Sequence, residues 1–224
     1  TLLFNNLLFK ILNSLYLIGF ISFCQNSDIK NLSFEDRADR LISKMTLTEK
    51  ASQMVNSSKS LKKYEIDEYN WWNECLHGVA RAGKATVFPV PLAMAATFDQ
   101  NLIHDVANAI SDEARAMYNI SQSRGIKGQY SGLTFWSPNI NIFRDPRWGR
   151  GYETYGEDPY LTGLMGKAFV KGLQGDHSKY LKVAACAKHY AVHSGPEKER
   201  HHFNAVVSKQ DLYESYLPAF KELV

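Results

Sequence analysis

Asn141-Ile-Phe-Arg-Asp-Pro-Arg-Trp-Gly-Arg-Gly-Tyr-Glu-Thr-Tyr-Gly-Glu-Asp-Pro159 packs three arginines, four acids, one indole, three glycines and two prolines into nineteen residues. Glycine and proline at this density interrupt both the helical and the strand period. The stretch therefore reads as a charged loop, held in one shape by internal ion pairs and stacked aromatics. Such loops commonly carry function. Its flanks decide the fold. Leu133-Thr-Phe-Trp136 reads as a strand before it, and Asp158-Pro159 opens a helix after it, with proline at the first helical position. That helix carries Leu161, Leu164, Met165, Ala168, Phe169 and Leu173, and Gly175 stops it. Val183-Ala-Ala-Cys-Ala187 then reads as a buried strand, followed directly by Lys188-His189-Tyr190. Strand, loop, helix, strand is the order of a parallel α/β fold, in which ligands bind at the carboxyl ends of strands.

Working outward, Asp99 or Gln100 begins a helix to about Tyr118, with Leu102, Ile103, Val106, Ile110, Ala114 and Met117 as its apolar stripe. Phe88-Pro-Val-Pro91 before it reads as extended. Tyr69-Asn-Trp-Trp-Asn-Glu-Cys-Leu-His-Gly78 is a dense polar and aromatic cluster ending in a turn, and residues 56–70 read as a polar, lysine-rich surface connection. Further back, Thr46-Leu-Thr-Glu49 is a capping box for a helix through Val55. Ser33 with Asp36 opens an earlier helix with Ala38, Leu41, Ile42 and Met45 on one face. At the other end, Ser208 with Asp211 caps a last helix that carries Leu212, Tyr216 and Phe220 and is kinked by Pro218. A closed (β/α)8 barrel needs about 250 residues. The expected fold class is accordingly α/β, a (β/α)8 TIM-type barrel incomplete at the C-terminus, over residues 25–224.

Residues 1–24 read as an export signal. Ile11 to Phe23 is mostly apolar and free of charge after Lys10, and Ser22 and Cys24 occupy the small positions of a cleavage site before Gln25. An uncleaved membrane anchor is the other reading of the same run. With a signal, the protein is expected to be secreted or periplasmic. Cys75 and Cys186 are then the remaining cysteines, too few for a disulfide framework, and are read as buried free thiols. Hydrophobic residues at 45% and charged residues at 22% belong to a globular chain with a real core. A net charge of +3, without basic runs, speaks against a nucleic-acid partner.

Several clusters could carry chemistry. Glu74, beside Trp71 and Trp72, could accept hydrogen bonds from sugar hydroxyls while an indole covers the apolar sugar face; an ordinary ion pair is the alternative. Arg144, Arg147 and Arg150 offer forked donors that grip a carboxylate or vicinal diol, yet three so close cannot all serve a ligand. Some must brace the loop by pairing with its acids, Glu153, Glu157 or Asp158. Lys188 and His189 follow an apolar strand, so the lysine requires a partner or a substrate, or else lies in a surface turn. His189, His193, His201 and His202 lack the spacing of a metal site, so neither metal nor cofactor is expected. No serine-hydrolase elbow or phosphate loop occurs in the chain.

Taken together, Tyr69-to-Arg81, the Arg144-to-Pro159 loop, Ala187-Lys-His-Tyr190 and Arg200-His-His-Phe203 resemble the N-terminal barrel domain of glycoside hydrolase family 3, nearest its β-xylosidase and β-glucosidase branch. The resemblance covers roughly residues 31–224. It implies a pyranose in a first subsite bound by Glu74, Arg150, Lys188 and His189, and an oligosaccharide or glycoside as substrate. Glutamate at position 74, where many β-glucosidases of the family have aspartate, leans toward xylosides. The family's reaction retains configuration, using a nucleophilic and an acid/base carboxylate about 5–5.5 Å apart. The resemblance places the nucleophile past the point matching Val224, so no catalytic carboxylate is assigned in this chain. Asp145, Glu153, Glu157 and Asp158 are read as braces of the loop. Two functions remain open: the N-terminal part of a secreted β-glycosidase, and a truncated protein that binds sugar or a partner without catalysis.

Overall fold

The computed structural model describes residues 31–224, and the expected signal at residues 1–24 lies outside them. The described residues fall into two units, one of residues 31–54 with Lys63–Glu65 and one of Val55–Lys62 with Ile66–Val224. Among them, no helix is long and apolar enough to cross a membrane.

The smaller unit holds α1 (Phe34–Ile42) and α2 (Leu47–Gln53). Ser33 Oγ accepts from the Asp36 N–H to start α1. At α2 the capping box closes both ways: Thr46 Oγ1 accepts from the Glu49 N–H at 3.3 Å, and Glu49 Oε2 accepts from the Thr46 N–H at 2.9 Å. The Lys63 ammonium beside Glu49, with the Thr46 N–H, holds that carboxyl down at about 2. The stripe expected to pack inward does not: Ala38 and Ile42 are exposed, and Leu41 and Met45 half-covered.

The larger unit is built on β3 (Thr134–Phe135) and β4 (Ala184–Ala185), which pair in parallel with Thr134 opposite Ala184. Backbone bonds extend the ladder beyond these formal strands. Cys186 N donates to Phe135 O, Lys188 N to Pro138 O, and Ile140 N to Lys188 O. Helix α5 (Pro159–Gln174) is the crossover between them, capped by Asp158, whose Oδ1 accepts from the Leu161 N–H at 2.6 Å. Its inner face buries Met165, Ala168, Phe169 and Leu173, as expected, and also four smaller residues, Thr162, Gly163, Gly166 and Gly172. The described residues show a parallel βαβ unit within an α/β arrangement and no closed barrel.

Helix α4 (Gln100–Ser123) packs along α5. Asp99 Oδ1 caps it, accepting from the N–H groups of Asn101 and Leu102. Ile103, Val106, Ile110 and Ala114 are buried; Ala107 takes the place expected of Leu102, which is 42% exposed. The approach is closest at Gly172, where an added Cβ would lie 2.3 Å from His104 O and 2.8 Å from Ala107 Cβ. Ser111 Oγ completes this seam by donating to Gly172 O at 3.3 Å.

Three local expectations need correction. The lysine-rich connection contains an antiparallel pair, β1 (Ser57–Ser58) with β2 (Tyr69–Asn70). Pro91 ends no extended piece; it is the first residue of α3 (Pro91–Ala95), where its missing N–H costs nothing. The last helix is α6 (Lys209–Asp211), a π-helical turn over Leu212–Tyr216, and α7 (Pro218–Leu223). Proline lacks the donor an unbroken helix would use at 218, and the wider turn absorbs the break, with Leu217 N bonding to Leu212 O. Ala219 of α7 packs against Gly163 of α5.

Gly172→Ala is expected to lower unfolding free energy by about 1–3 kcal/mol, because the new methyl meets a backbone carbonyl that cannot move aside. Denaturant unfolding of the protein carrying this chain measures it. A gain in stability, as helix propensity alone would give, would show that this seam does not set the spacing of α4 and α5.

Candidate functional site

Three segments converge at the carboxyl end of the parallel pair. The first is residues 73–75, alongside β3. Asn73 Nδ2 donates to Thr134 O at 2.7 Å, Asn73 Oδ1 accepts from the Gly132 N–H at 2.9 Å, and the Trp136 N–H reaches Asn73 O. Asn73 is buried, so these bonds are its solvation as well as its anchor. The next residue, Glu74, is thereby set at the edge of β3. The second segment is the charged loop, which leaves the end of β3. The third is Lys188-His189, continuing β4.

Lys188 Nζ lies 2.8 Å from Glu74 Oε2, with the two side chains 11% and 22% exposed. Glu74 Oε1 also accepts from Trp72 Nε1 at 3.2 Å. The Trp72 indole stacks on Trp136 with centroids 5.1 Å apart and planes 19° apart. The two tryptophans beside Glu74 thus differ. Trp72 joins the site, while Trp71 bonds to Ser58 Oγ and meets Tyr69 edge-on. Trp136, read from sequence only as strand, is the second ring of the platform. His77 is engaged elsewhere, its Nδ1 facing Phe88 O at 2.9 Å.

The loop's three arginines have three different fates. Arg147 grips Asp145 with both arms of its fork, at 2.9 and 2.8 Å, and holds that carboxyl at about 2. Arg144 donates to Ser194 O and Oγ at 2.9 and 3.1 Å, with its guanidinium over Phe203 and Tyr216. Arg150 binds Glu153 bidentately at 2.8 and 2.6 Å, and its Nη1 faces His189 Nε2 at 3.1 Å. Of the acids read as braces, Asp145 and Glu153 form ion pairs; Asp158 is the helix cap, and Glu157 is exposed. Trp148, 5% exposed, is buried edge-on to Phe143 and His193. Gly151 lies under the Phe143 ring, where a Cβ would come within 2.2 Å.

Glu74, Arg150, Lys188 and His189 are therefore brought together: one ion pair, one guanidinium-imidazole contact, and a backbone bond between Lys188 and His189. Burial and the positive charges of Arg150, His193 and Lys188 push His189 down to about 3, so its ring is neutral at ordinary pH. Sequence reading missed Asn141, whose Oδ1 accepts from the His189 N–H and faces Nδ1 at 2.8 and 2.9 Å. Cys75, buried behind Glu74, has its thiol pushed up to about 12 by burial, whereas Cys186 is exposed, against expectation. Strand alternation explains this, since Cys186 faces away from the side that buries Phe135 and Val183.

The family model for the glycosyl hydrolase family 3 N terminal domain matches residues 40–224, and the chain belongs to that family. It is 52% identical over 198 residues to a xylan 1,4-beta-xylosidase of Xylanibacter ruminicola, covering 87% of this chain and 23% of that protein. It is 46% identical over 219 residues to beta-xylosidase/alpha-L-arabinofuranosidase 1 of Medicago sativa subsp. varia, covering 90% of this chain and 27% of that one. Among solved structures, a GH3 exo-beta-xylosidase in complex with a xylobiose aziridine activity-based probe superposes with a TM-score of 0.72 at 35% identity. That likeness covers 86% of this chain and 26% of the other. A GH3 beta-glucosidase of Bifidobacterium adolescentis gives a TM-score of 0.66 at 29% identity over 81% of this chain and 25% of its own. The chain thus spans about a quarter of the length of these relatives.

Acid should weaken the fold through His189. The unfolded ring takes up a proton near its ordinary 6.5, whereas the folded ring refuses one until about 3, so stability falls as pH drops through that window. His193, also lowered by burial, adds to the same slope. In His189→Gln, unfolding free energy is expected to depend less steeply on pH between about 6.5 and 4.5, above the carboxylate range. An unchanged slope would mean that the folded ring titrates normally.

Proposed function

We propose that this chain forms the first sugar subsite of a retaining β-glycosidase that removes terminal non-reducing β-linked sugars, xylose in preference to glucose, on a (β/α)8 TIM-type barrel. The observation that carries the reading is the Glu74–Lys188 pair, half-shielded beside Arg150 and His189 at the carboxyl ends of adjacent parallel strands. Such a set suits an uncharged polyol. Glu74 accepts from a ring hydroxyl, Lys188 donates to a neighbouring one, and Arg150 spans two oxygens with the N–H groups that Glu153 and His189 leave free. The exposed edge of the Trp72–Trp136 stack offers an apolar face for the sugar's C–H groups. Membership of the family and the xylosidases among its relatives support the reaction class. Glutamate at position 74 supports xylosides.

Neither acid in the cluster is offered as the nucleophile. Glu74 is committed to Lys188, and Glu153 to Arg150. The reading assigns the two reacting carboxylates to parts of the full protein other than residues 31–224. Secretion or periplasmic residence goes with it and rests on the apolar run at residues 11–23 alone.

In the full-length protein that carries this chain, Glu74→Ala and Lys188→Ala should each lower kcat/KM for aryl β-xylosides by about 10–150-fold, the equivalent of one charge-assisted hydrogen bond of about 1.5–3 kcal/mol. Because the two groups bind each other, the double variant should lose little more than the worse single one. Unchanged kinetics in both single variants would remove the sugar-contact assignment. No turnover of any aryl glycoside by the wild-type protein, with xylose still bound, would favour a non-catalytic sugar-binding protein.

A further inference from the structure

We propose that Asn141 is a positioning residue of this site: its amide fixes His189 as the neutral tautomer protonated on Nδ1, and through that ring sets which donors of Arg150 face a ligand. The inference rests on the sugar-binding reading of Arg150 given above. Asn141 is 2% exposed and opens the charged loop. Its Nδ2 donates to His189 O at 2.8 Å and Ala191 O at 3.2 Å. Two carbonyls require the amino group on that side, and the His189 peptide N–H requires the oxygen on the other, at 2.8 Å. The amide therefore has one orientation. Its oxygen also faces His189 Nδ1 at 2.9 Å, so that nitrogen must carry the hydrogen.

Nε2 is left with its lone pair, and it is the atom that meets Arg150 Nη1 at 3.1 Å. The opposite tautomer would set lone pair against lone pair at Asn141 and N–H against N–H at Arg150. Arg150 has five N–H bonds. Two go to Glu153 and one to His189, which leaves one on each terminal nitrogen for a ligand. Asn141 is itself tied to the ladder, its backbone N–H donating at 3.1 Å to Asn139 Oδ1, and Asn139 stands opposite Lys188. The charged and titratable groups around the ring are Arg150, His193, Lys188 and Arg200, with Glu153 behind Arg150 and Glu74 behind Lys188.

The test is Asn141→Asp and Asn141→Leu in the full-length protein, read by the imidazole nitrogen shifts of His189 against pH and by KM for an aryl β-xyloside at each pH. Wild type should show the Nδ1–H tautomer, neutral from pH 5 to 8. In Asn141→Asp the carboxylate favours a doubly protonated ring, so His189 should titrate within that range. KM should rise about 10-fold on the acid side of the new midpoint and recover above it, a pattern that simple loosening would not produce. Asn141→Leu should show mixed tautomers and a raised KM at every pH. A wild-type ring protonated on Nε2, or a ring unmoved in both variants, overturns the proposal, and the first result needs no variant to fold. A ring that changes while KM does not would instead refute the sugar-binding reading of Arg150 and leave control of the ring by Asn141 standing.

Discussion

The parallel ladder from residues 133–140 to residues 184–188 holds the rest of the site in register. Lys188 enters it twice, donating to Pro138 O and accepting from Ile140 N, so its side chain leaves the backbone at a fixed point and on a fixed face. A slip of residues 184–188 by one position would turn Lys188 to the other face, the side on which Val183 is buried. Glu74 is brought to the same edge by another route, since Asn73 hooks residues 73–75 onto the opposite flank of β3. Two residues 114 positions apart meet because each lies beside a strand that both flank.

The ladder in turn depends on the helix layer behind it. Helix α5 has to return the chain from the end of β3 to the start of β4. It lies close to its neighbours because small residues face them: Gly172 toward α4, Gly166 toward Ile140, and Gly163 toward α7. The loop can then afford its charge. Arg147 and Arg150 are paired with acids of the loop itself, Arg144 is held by Ser194, and Trp148 is buried beneath, so the loop is braced at the edge of the sheet.

Elements with strong local signals were legible in the sequence. The caps at Ser33, Thr46, Asp99, Asp158 and Ser208 all start helices, and the stripes of α4 and α5 face the core, except that Leu102 is exposed and Leu164 is half-covered and outside the core cluster. Glu74, Arg150, Lys188 and His189 were legible as odd polar residues at strand ends and through the family resemblance, and they do meet in space. Asn141 was not. A lone asparagine at the head of a loop has no period, and its partners lie 48 and 50 residues on. The pair β1–β2 escaped notice because two residues per strand carry no alternation. The exposure of Cys186 escaped because an apolar run reads as buried on both faces. The π-helical turn is a response to Pro218 that proline alone does not specify; a kink or a break would serve equally.

The five side chains of the cluster have one further property as a set. Glu74 and Glu153 are anionic, Lys188 and Arg150 cationic, and His189 is held neutral, so the formal charges cancel. These five groups thus present strong local dipoles and add no net charge between them. Ionic strength, which screens fields beyond about 10 Å, has little to act upon there. An anionic sugar acid would gain nothing from long-range attraction and would have to displace a carboxylate to bind. On the sugar-binding proposal, a preference for neutral ligands would follow from the charge count of the cluster, before any contact is made.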